Sequence, residues 1–84
     1  MDKETADRLI LEYTPKLYGF ALSKTRDLQK AEELAARITL EAYAALLKRD
    51  AVANPAGYIY RVAQHVYARS VREETGRAYP LSLD

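Results

Sequence analysis

Apolar residues recur at spacings of three and four along most of the chain, and this period constrains the fold more than any other feature. The period matches the helical turn of about 3.6 residues, whereas a half-buried strand needs alternating apolar and polar residues. No strand alternation and no hairpin turn sequence occurs in the chain. The sequence therefore predicts an all-α protein, a compact bundle of three to four helices.

The first periodic segment runs from Glu4 to about Thr25, and it contains a proline. Proline removes a backbone donor and clashes with the preceding turn, so we expect Pro15 either to kink this helix or to divide it into two abutting helices, with Thr14 as the cap of the second one, and we favour the division. The apolar stripe of the segment comprises Leu9, Ile10, Tyr13, Leu17, Phe20 and Ala21.

Two further helices follow. Asp27 is a suitable N-cap for a helix that extends to about Lys48. The pair 54–55, Asn-Pro, offers a cap followed by proline, and we expect a third helix from there to about Glu74, with a stop near Gly76. The predicted buried residues of these helices are Ala31, Leu34, Ala35, Ile38, Ala42 and Leu46, then Ile59, Val62, Ala63 and Val66.

A chain of 84 residues has room for one domain. We expect this domain to span residues 1–76, with residues 77–84 as the start of an interdomain linker or a C-terminal tail. The chain lacks cysteine and has a single histidine, so no metal site and no cofactor is expected. No signal peptide and no membrane-spanning run is evident, which predicts a cytoplasmic protein without a membrane partner.

The third predicted helix carries a polar stripe on one face. At about 100° per residue, five side chains share this face. They are Tyr58, Arg61, His65, Arg69 and Arg72. No acidic residue lies between Asp50 and Glu73, so the stripe attracts phosphates and offers a ring for base stacking, which suits single-stranded DNA. A charged helix face is more often simply solvated, so the stripe alone does not decide the function.

A third side of the same helix carries Tyr60, Tyr67 and Val71, and we expect it to pack under the first helix. Catalysis is not expected, because His65 has no nucleophile at a recognisable spacing. The carboxylates lie at helix caps or on charged faces, without a glycine-rich phosphate loop. These carboxylates are Glu12, Asp27, Glu32, Glu33 and Glu41.

Three motifs occur in a characteristic order: YTPKLYGFAL in the first helix, AEEL at the start of the second, and NPAGYIYRVAQH at the third. With these motifs, residues 7–75 resemble region 2 of the extracytoplasmic-function type of sigma-70 family RNA polymerase sigma factors. The closing PLSLD is similar to the start of that family's interdomain linker. The resemblance implies a helical domain that acts in transcription initiation.

In this family the second helix docks on the clamp helices of the largest subunit of the RNA polymerase core. The third helix and the loop before it capture the melted non-template strand of the minus-ten promoter element. Carried over by position, the polymerase-binding residues are Glu33, Ala36, Arg37, Leu40 and Glu41. The DNA-binding residues are the five residues of the stripe together with Arg49.

The chain departs from the family pattern at several positions. Ala36-Arg37 replaces the usual Gln-Glu pair, Thr39 replaces an aromatic residue, and His65 replaces a common asparagine. An alternative is therefore a degenerate sigma-like domain that binds an anti-sigma factor or another protein partner without binding promoters. An apolar strip on the second helix suits this alternative. It comprises Ala36, Leu40, Ala44 and Leu47.

Overall fold

The computed structural model describes residues 1–78, and within this range the chain forms three α-helices and no strand. They are α1 (Lys3–Thr25), α2 (Leu28–Lys48) and α3 (Pro55–Ala78). The predicted all-α bundle is confirmed. Two residues join α1 to α2, so these helices form an antiparallel hairpin, and α3 returns along α2 after the loop 49–54.

Helix α1 is continuous through Pro15, so the prediction of two abutting helices was wrong. Pro15 lies on the exposed face, and the carbonyl that loses its partner belongs to Leu11, which is 74% exposed. Water can satisfy that carbonyl, which makes the lost hydrogen bond tolerable. The Thr14 hydroxyl does not cap a new helix, because it donates back to the Ile10 carbonyl at 2.7 Å.

Side-chain caps fix where the helices begin. The carboxylate of Asp27 accepts from the Lys30 amide at 2.9 Å, as predicted for the start of α2. The Asn54 side chain accepts from the Gly57 amide at 3.1 Å and caps α3. A Cβ atom at position 57 would lie 2.9 Å from the Asn54 amide nitrogen, so glycine leaves room for this cap.

The core lies between the three helices, and no polar side chain among the described residues is buried. Its buried members are Ala6, Ile10, Leu17, Ala21, Ala31, Leu34, Ile38, Ala42, Leu46, Ile59, Ala63 and Val66. All but Ala6 were predicted from the helical period. Predicted members at the edge of the core, such as Leu9, Tyr13 and Val62, are only partly buried.

The third side of α3 packs on α1 only in part. The Phe20 ring of α1 meets the rings of Tyr60 and Tyr67 edge to face, with centroids 6.1 and 6.3 Å apart, as expected. Tyr60 keeps 39% of its surface exposed despite this contact, and Val71 remains 40% exposed, contrary to prediction. Val71 lines a depression together with Lys24 and Thr25 at the polar end of α1.

Helix α3 continues to Ala78, two residues past the predicted stop near Gly76. A single glycine inside a helix costs only about 1 kcal/mol, so it does not by itself end one. The predicted linker sequence YPLSLD lies outside the described residues. None of the described helices is long and apolar enough to cross a membrane.

Candidate nucleic-acid interface

The polar stripe of α3 faces outward, because the buried residues Ile59, Ala63 and Val66 hold the opposite side of the helix against the core. Three members of the stripe are exposed and two are half-buried. The exposed members are Arg61, His65 and Arg72, and the half-buried ones are Tyr58 and Arg69. The five side chains share one face, as the helical period predicted.

Two shallow depressions lie between α2 and α3 on this face, and together they form what we call the α2–α3 groove. One, of about 400 Å³, is lined by His65, Ala68, Arg69 and Arg72 of α3 together with Glu41 of α2. The other is lined by Glu41, Ala44, Ala45, Lys48, Arg49 and Tyr58. The predicted DNA-binding residues therefore line the groove on both sides of Glu41, except Arg61, which lies on the exposed outer face of α3.

Arg49 and Tyr58 meet across the loop that joins α2 to α3. The Arg49 guanidinium carbon lies 4.8 Å from the centre of the Tyr58 ring, within the range of a cation–π contact. This contact covers one face of the ring and holds a positive charge beside it. The end of the groove therefore combines an aromatic surface with a cation, the pair of groups that binds a base and its phosphate.

Ion pairs cross between α2 and α3 along the same side of the molecule. Arg69 binds the Glu41 carboxylate at 2.5 Å, and Arg37 binds Glu73 at 3.3 Å. A looser pair joins Lys30 to Glu74 at 3.6 Å. The stripe itself contains no carboxylate, but the fold brings one to it from the neighbouring helix. The sequence could not reveal this contact, because it depends on how α2 and α3 pack.

The predicted polymerase-binding residues form one arc of α2 with two different edges. Glu33, Ala36, Leu40 and Glu41 are exposed, and Arg37 is half-buried. On one edge, Ala36 and Leu40 share a depression with Thr14 and Tyr18 of α1. On the other edge, Arg37 and Glu41 pair with α3. Glu41 thus belongs to the predicted polymerase-binding set and also lines the groove.

The apolar strip of α2 is exposed, as predicted, and α1 extends it. Leu40 is 69% exposed and Leu47 is 39% exposed. Leu11 of α1, which the sequence did not single out, borders the same depression as Leu40 and is 74% exposed. An apolar surface of this kind is suited to contact with a protein rather than with DNA.

The clearest pKa shifts lie away from the groove, on the face of the α1–α2 hairpin that carries Asp7. The Tyr43 hydroxyl donates to the Asp7 carboxylate at 2.5 Å, and Lys3 pairs with the same carboxylate at 2.9 Å. The hydrogen bond from Tyr43, followed by that from Lys3, lowers the pKa of Asp7. The same bond raises the pKa of Tyr43. Within residues 1–78 no group of acidic or histidine side chains is arranged to hold a metal ion.

Comparison with known families gives a match over most of the chain. The family model described as sigma-70 region 2 matches residues 9–77, which is most of the chain. Searches of the curated proteins and of the solved structures gave no match. The matched range contains α1 from Leu9 onward, all of α2 and all but the last residue of α3, together with both sides of the α2–α3 groove. The chain therefore belongs to the sigma-70 region 2 family, a family of non-catalytic domains of the sigma factors of transcription initiation.

Proposed function

We propose that this domain binds the RNA polymerase core through α2 and the melted non-template strand of the minus-ten promoter element through the α2–α3 groove. One observation carries the DNA-binding half of the proposal. In a chain of the sigma-70 region 2 family, cationic side chains and an aromatic ring line the groove between α2 and α3. We further propose that it is of the extracytoplasmic-function type and acts in the cytoplasm.

In this proposal, the arginines of the stripe contact the phosphates, and the Tyr58 ring stacks on an unpaired base. Arg61 and Arg72 are exposed and can follow the backbone of the strand. Arg49 keeps the Tyr58 ring oriented beside the groove. The same groups bind a single strand better than a duplex, because stacking requires a base that has left its pair.

Strand opening then follows from binding rather than from a chemical step. Separating a base-pair step costs about 1.4 kcal/mol of stacking free energy. The domain offsets this cost when it binds the extruded strand more tightly than the duplex, which shifts the population toward the open form. No covalent bond is made or broken in this mechanism.

The proposed polymerase contact uses the exposed arc of α2. Leu40 supplies apolar area, and Glu33 and Glu41 supply negative charge at its rim. A partner surface that combines apolar and basic side chains complements this arc. Ala36 and Arg37 stand where the family usually has Gln and Glu, so we expect the contact to depend more on Leu40 than is usual.

A second candidate function is protein binding without promoter recognition, with an anti-sigma factor or another protein as the partner. The observation that favours it is the apolar surface formed by Leu11 and Leu40, which no described residue covers. A partner helix could bury its apolar face there without nucleic acid. The two candidates differ in whether the α2–α3 groove binds DNA.

The deciding experiment titrates the protein against a labelled single-stranded oligonucleotide and its duplex at two salt concentrations, with and without polymerase core. We expect Arg61→Ala combined with Arg69→Ala to weaken single-strand binding about tenfold or more, and to lower the salt slope by about two. The reason is the loss of two phosphate contacts. A matched control, Arg8→Ala with Lys16→Ala, removes the same charge from exposed positions of α1 and should change binding much less.

Unchanged affinity in the Arg61 and Arg69 double variant would contradict the DNA-binding assignment. Equal losses in the double variant and the α1 control would mean that only net charge matters. If the protein binds polymerase core but no single strand, the protein-binding candidate is the better one. Circular dichroism should confirm that both variants remain folded.

A further inference from the structure

Glu41 occupies the middle of the α2–α3 groove. It lines both depressions, the one that contains Arg49 and Tyr58 and the one that contains His65 and Arg72. Its carboxylate lies 2.5 Å from the Arg69 guanidinium, and each of the two side chains is 43% exposed. A negative charge therefore stands where the proposed function requires a phosphate to pass.

The ion pair with Glu41 occupies one end of the Arg69 guanidinium. An arginine that holds a carboxylate must give up that bond, or share its donors, before it binds a phosphate of comparable geometry. Exposed ion pairs contribute little to stability, so the pair is weak enough for a strand to displace. It lowers the affinity of the groove for phosphate without preventing binding.

Other cross-helix ion pairs do not affect the stripe in this way. Arg37–Glu73 and Lys30–Glu74 join the same two helices, but their cations are outside the stripe. Within the stripe, Arg61 and Arg72 have no ion-pair partner among the described residues, and Arg69 has one. Glu41 is thus placed to act on the stripe through a single arginine.

We propose that Glu41 is a positioning residue that holds Arg69 across the groove and limits how tightly the protein binds single-stranded DNA. This inference rests on the proposed function, because it assumes that the groove is the DNA-binding surface. The carboxylate acts through Arg69 and not by its charge alone. The salt dependence of binding and a double-mutant cycle therefore distinguish it from a purely structural ion pair.

The test measures binding of the whole chain to a fluorescent single-stranded oligonucleotide at low and high salt. The variants are Glu41→Gln, Arg69→Ala, the double variant, and Glu73→Gln as the matched control. Glu73→Gln removes the same charge and also breaks an ion pair between α2 and α3, but that pair holds Arg37. Thermal unfolding of each variant shows whether loosened packing contributes.

We expect Glu41→Gln to tighten binding about two- to fivefold at low salt, in the upper part of the range that an exposed ion pair allows. Its salt slope should be somewhat steeper than that of the unmodified protein, because Arg69 then neutralises the phosphate without sharing its charge with the Glu41 carboxylate. The gain should disappear when Arg69 is alanine, and Glu73→Gln should change affinity by less than about twofold.

Three results would overturn the inference. The first is a gain in Glu41→Gln no larger than in Glu73→Gln, and the second is a gain that persists with alanine at position 69. The third is weaker binding in Glu41→Gln, which would mean that the carboxylate aids binding. In each case, Arg61→Ala, measured alongside these variants, reports separately on the stripe of α3: if it still weakens binding, the proposed DNA binding stands and only the role of Glu41 is wrong.

Discussion

The α1–α2 pair and the α2–α3 pair consist of similar helices, but different interactions hold each pair together. A two-residue connection and nine of the buried core residues hold the hairpin, and the Tyr43–Asp7 hydrogen bond ties one helix to the other. Among the described residues, helix α3 contributes three to the buried core, and three ion pairs join it to α2 at the surface.

This difference separates stability from binding. The buried apolar area that stabilises the core is lost when a side chain is truncated, and a polar ligand such as a phosphate cannot restore it. An exposed ion pair can exchange its carboxylate for a phosphate at little cost. Substitutions in the hairpin core should therefore unfold the protein, whereas substitutions in the groove should change what it binds and leave it folded.

The largest effect is expected from Leu17→Ala in the hairpin core. Leu17 is 1% exposed, and its truncation should lower the free energy of unfolding by about 2–5 kcal/mol through lost burial and the cavity left behind. Small domains have a total stability of only about 5–15 kcal/mol, so the variant should be markedly destabilised. Urea denaturation followed by circular dichroism measures the change.

The matched comparison is Arg61→Ala on the exposed face of α3, which should change the free energy of unfolding by no more than about 0.5 kcal/mol. If Leu17→Ala costs less than 1 kcal/mol, the core can close around the missing side chain. If Arg61→Ala costs as much as Leu17→Ala, the separation between the stabilising hairpin core and the binding surface of α3 is wrong.

The fold was largely predictable because helices have a strong period and their caps are local. Asp27, Asn54 and the buried stripes could be read directly from the sequence. The prediction at Pro15 was wrong, because the cost of a proline depends on whether water can reach the carbonyl it leaves free. That exposure is a property of the packed structure. Arg26 was missed for a different reason. It ends α1 with φ 55°, a conformation that usually favours glycine, so an arginine at this position gives no signal in the sequence.

The candidate site was only half predictable. The stripe on α3 follows from the helical period, since all its members come from one element. Glu41 could not be placed beside Arg69 from the sequence, because the two residues are 28 positions apart and meet through helix packing. Leu11 was missed because the sequence does not reveal which apolar residues the bundle leaves uncovered.

A smaller effect is expected from the caps, one in each region. Asp27→Ala and Asn54→Ala should each lower the free energy of unfolding by about 1 kcal/mol, because each leaves a helix N-terminal amide without its side-chain acceptor. Only Asn54→Ala should also weaken single-strand binding, since it loosens the turn that carries Tyr58. Hydrogen exchange should locate the loss of protection in each variant, and equal effects of the two on binding would contradict the separation.

The smallest effect is expected from pH, at the Tyr43–Asp7 hydrogen bond of the hairpin. The pKa of Asp7 is lowered from 3.8 in the folded protein, mainly by Tyr43 and then by Lys3. A lowered carboxylate pKa contributes stability that is fully present above 3.8 and is lost as the pH falls through the folded pKa. The pKa of Tyr43 is raised from 10.0, so its contribution is lost as the pH rises through its folded pKa.

Tyr43→Phe should therefore be less stable than the unmodified protein between these limits, and the difference should shrink toward both low and high pH. Lys3 remains beside Asp7 in this variant, so a small acid-dependent loss should persist. Tyr18→Phe is the control, because it removes a hydroxyl from another half-buried tyrosine and leaves the Tyr43–Asp7 hydrogen bond in place. Urea midpoints measured across the pH range test this prediction. Parallel curves for Tyr43→Phe and the unmodified protein would mean that the hydrogen bond adds nothing to the stability of the hairpin.

Because single-strand binding depends on the other side of α2, the affinity of Tyr43→Phe for single-stranded DNA at neutral pH should match that of the unmodified protein.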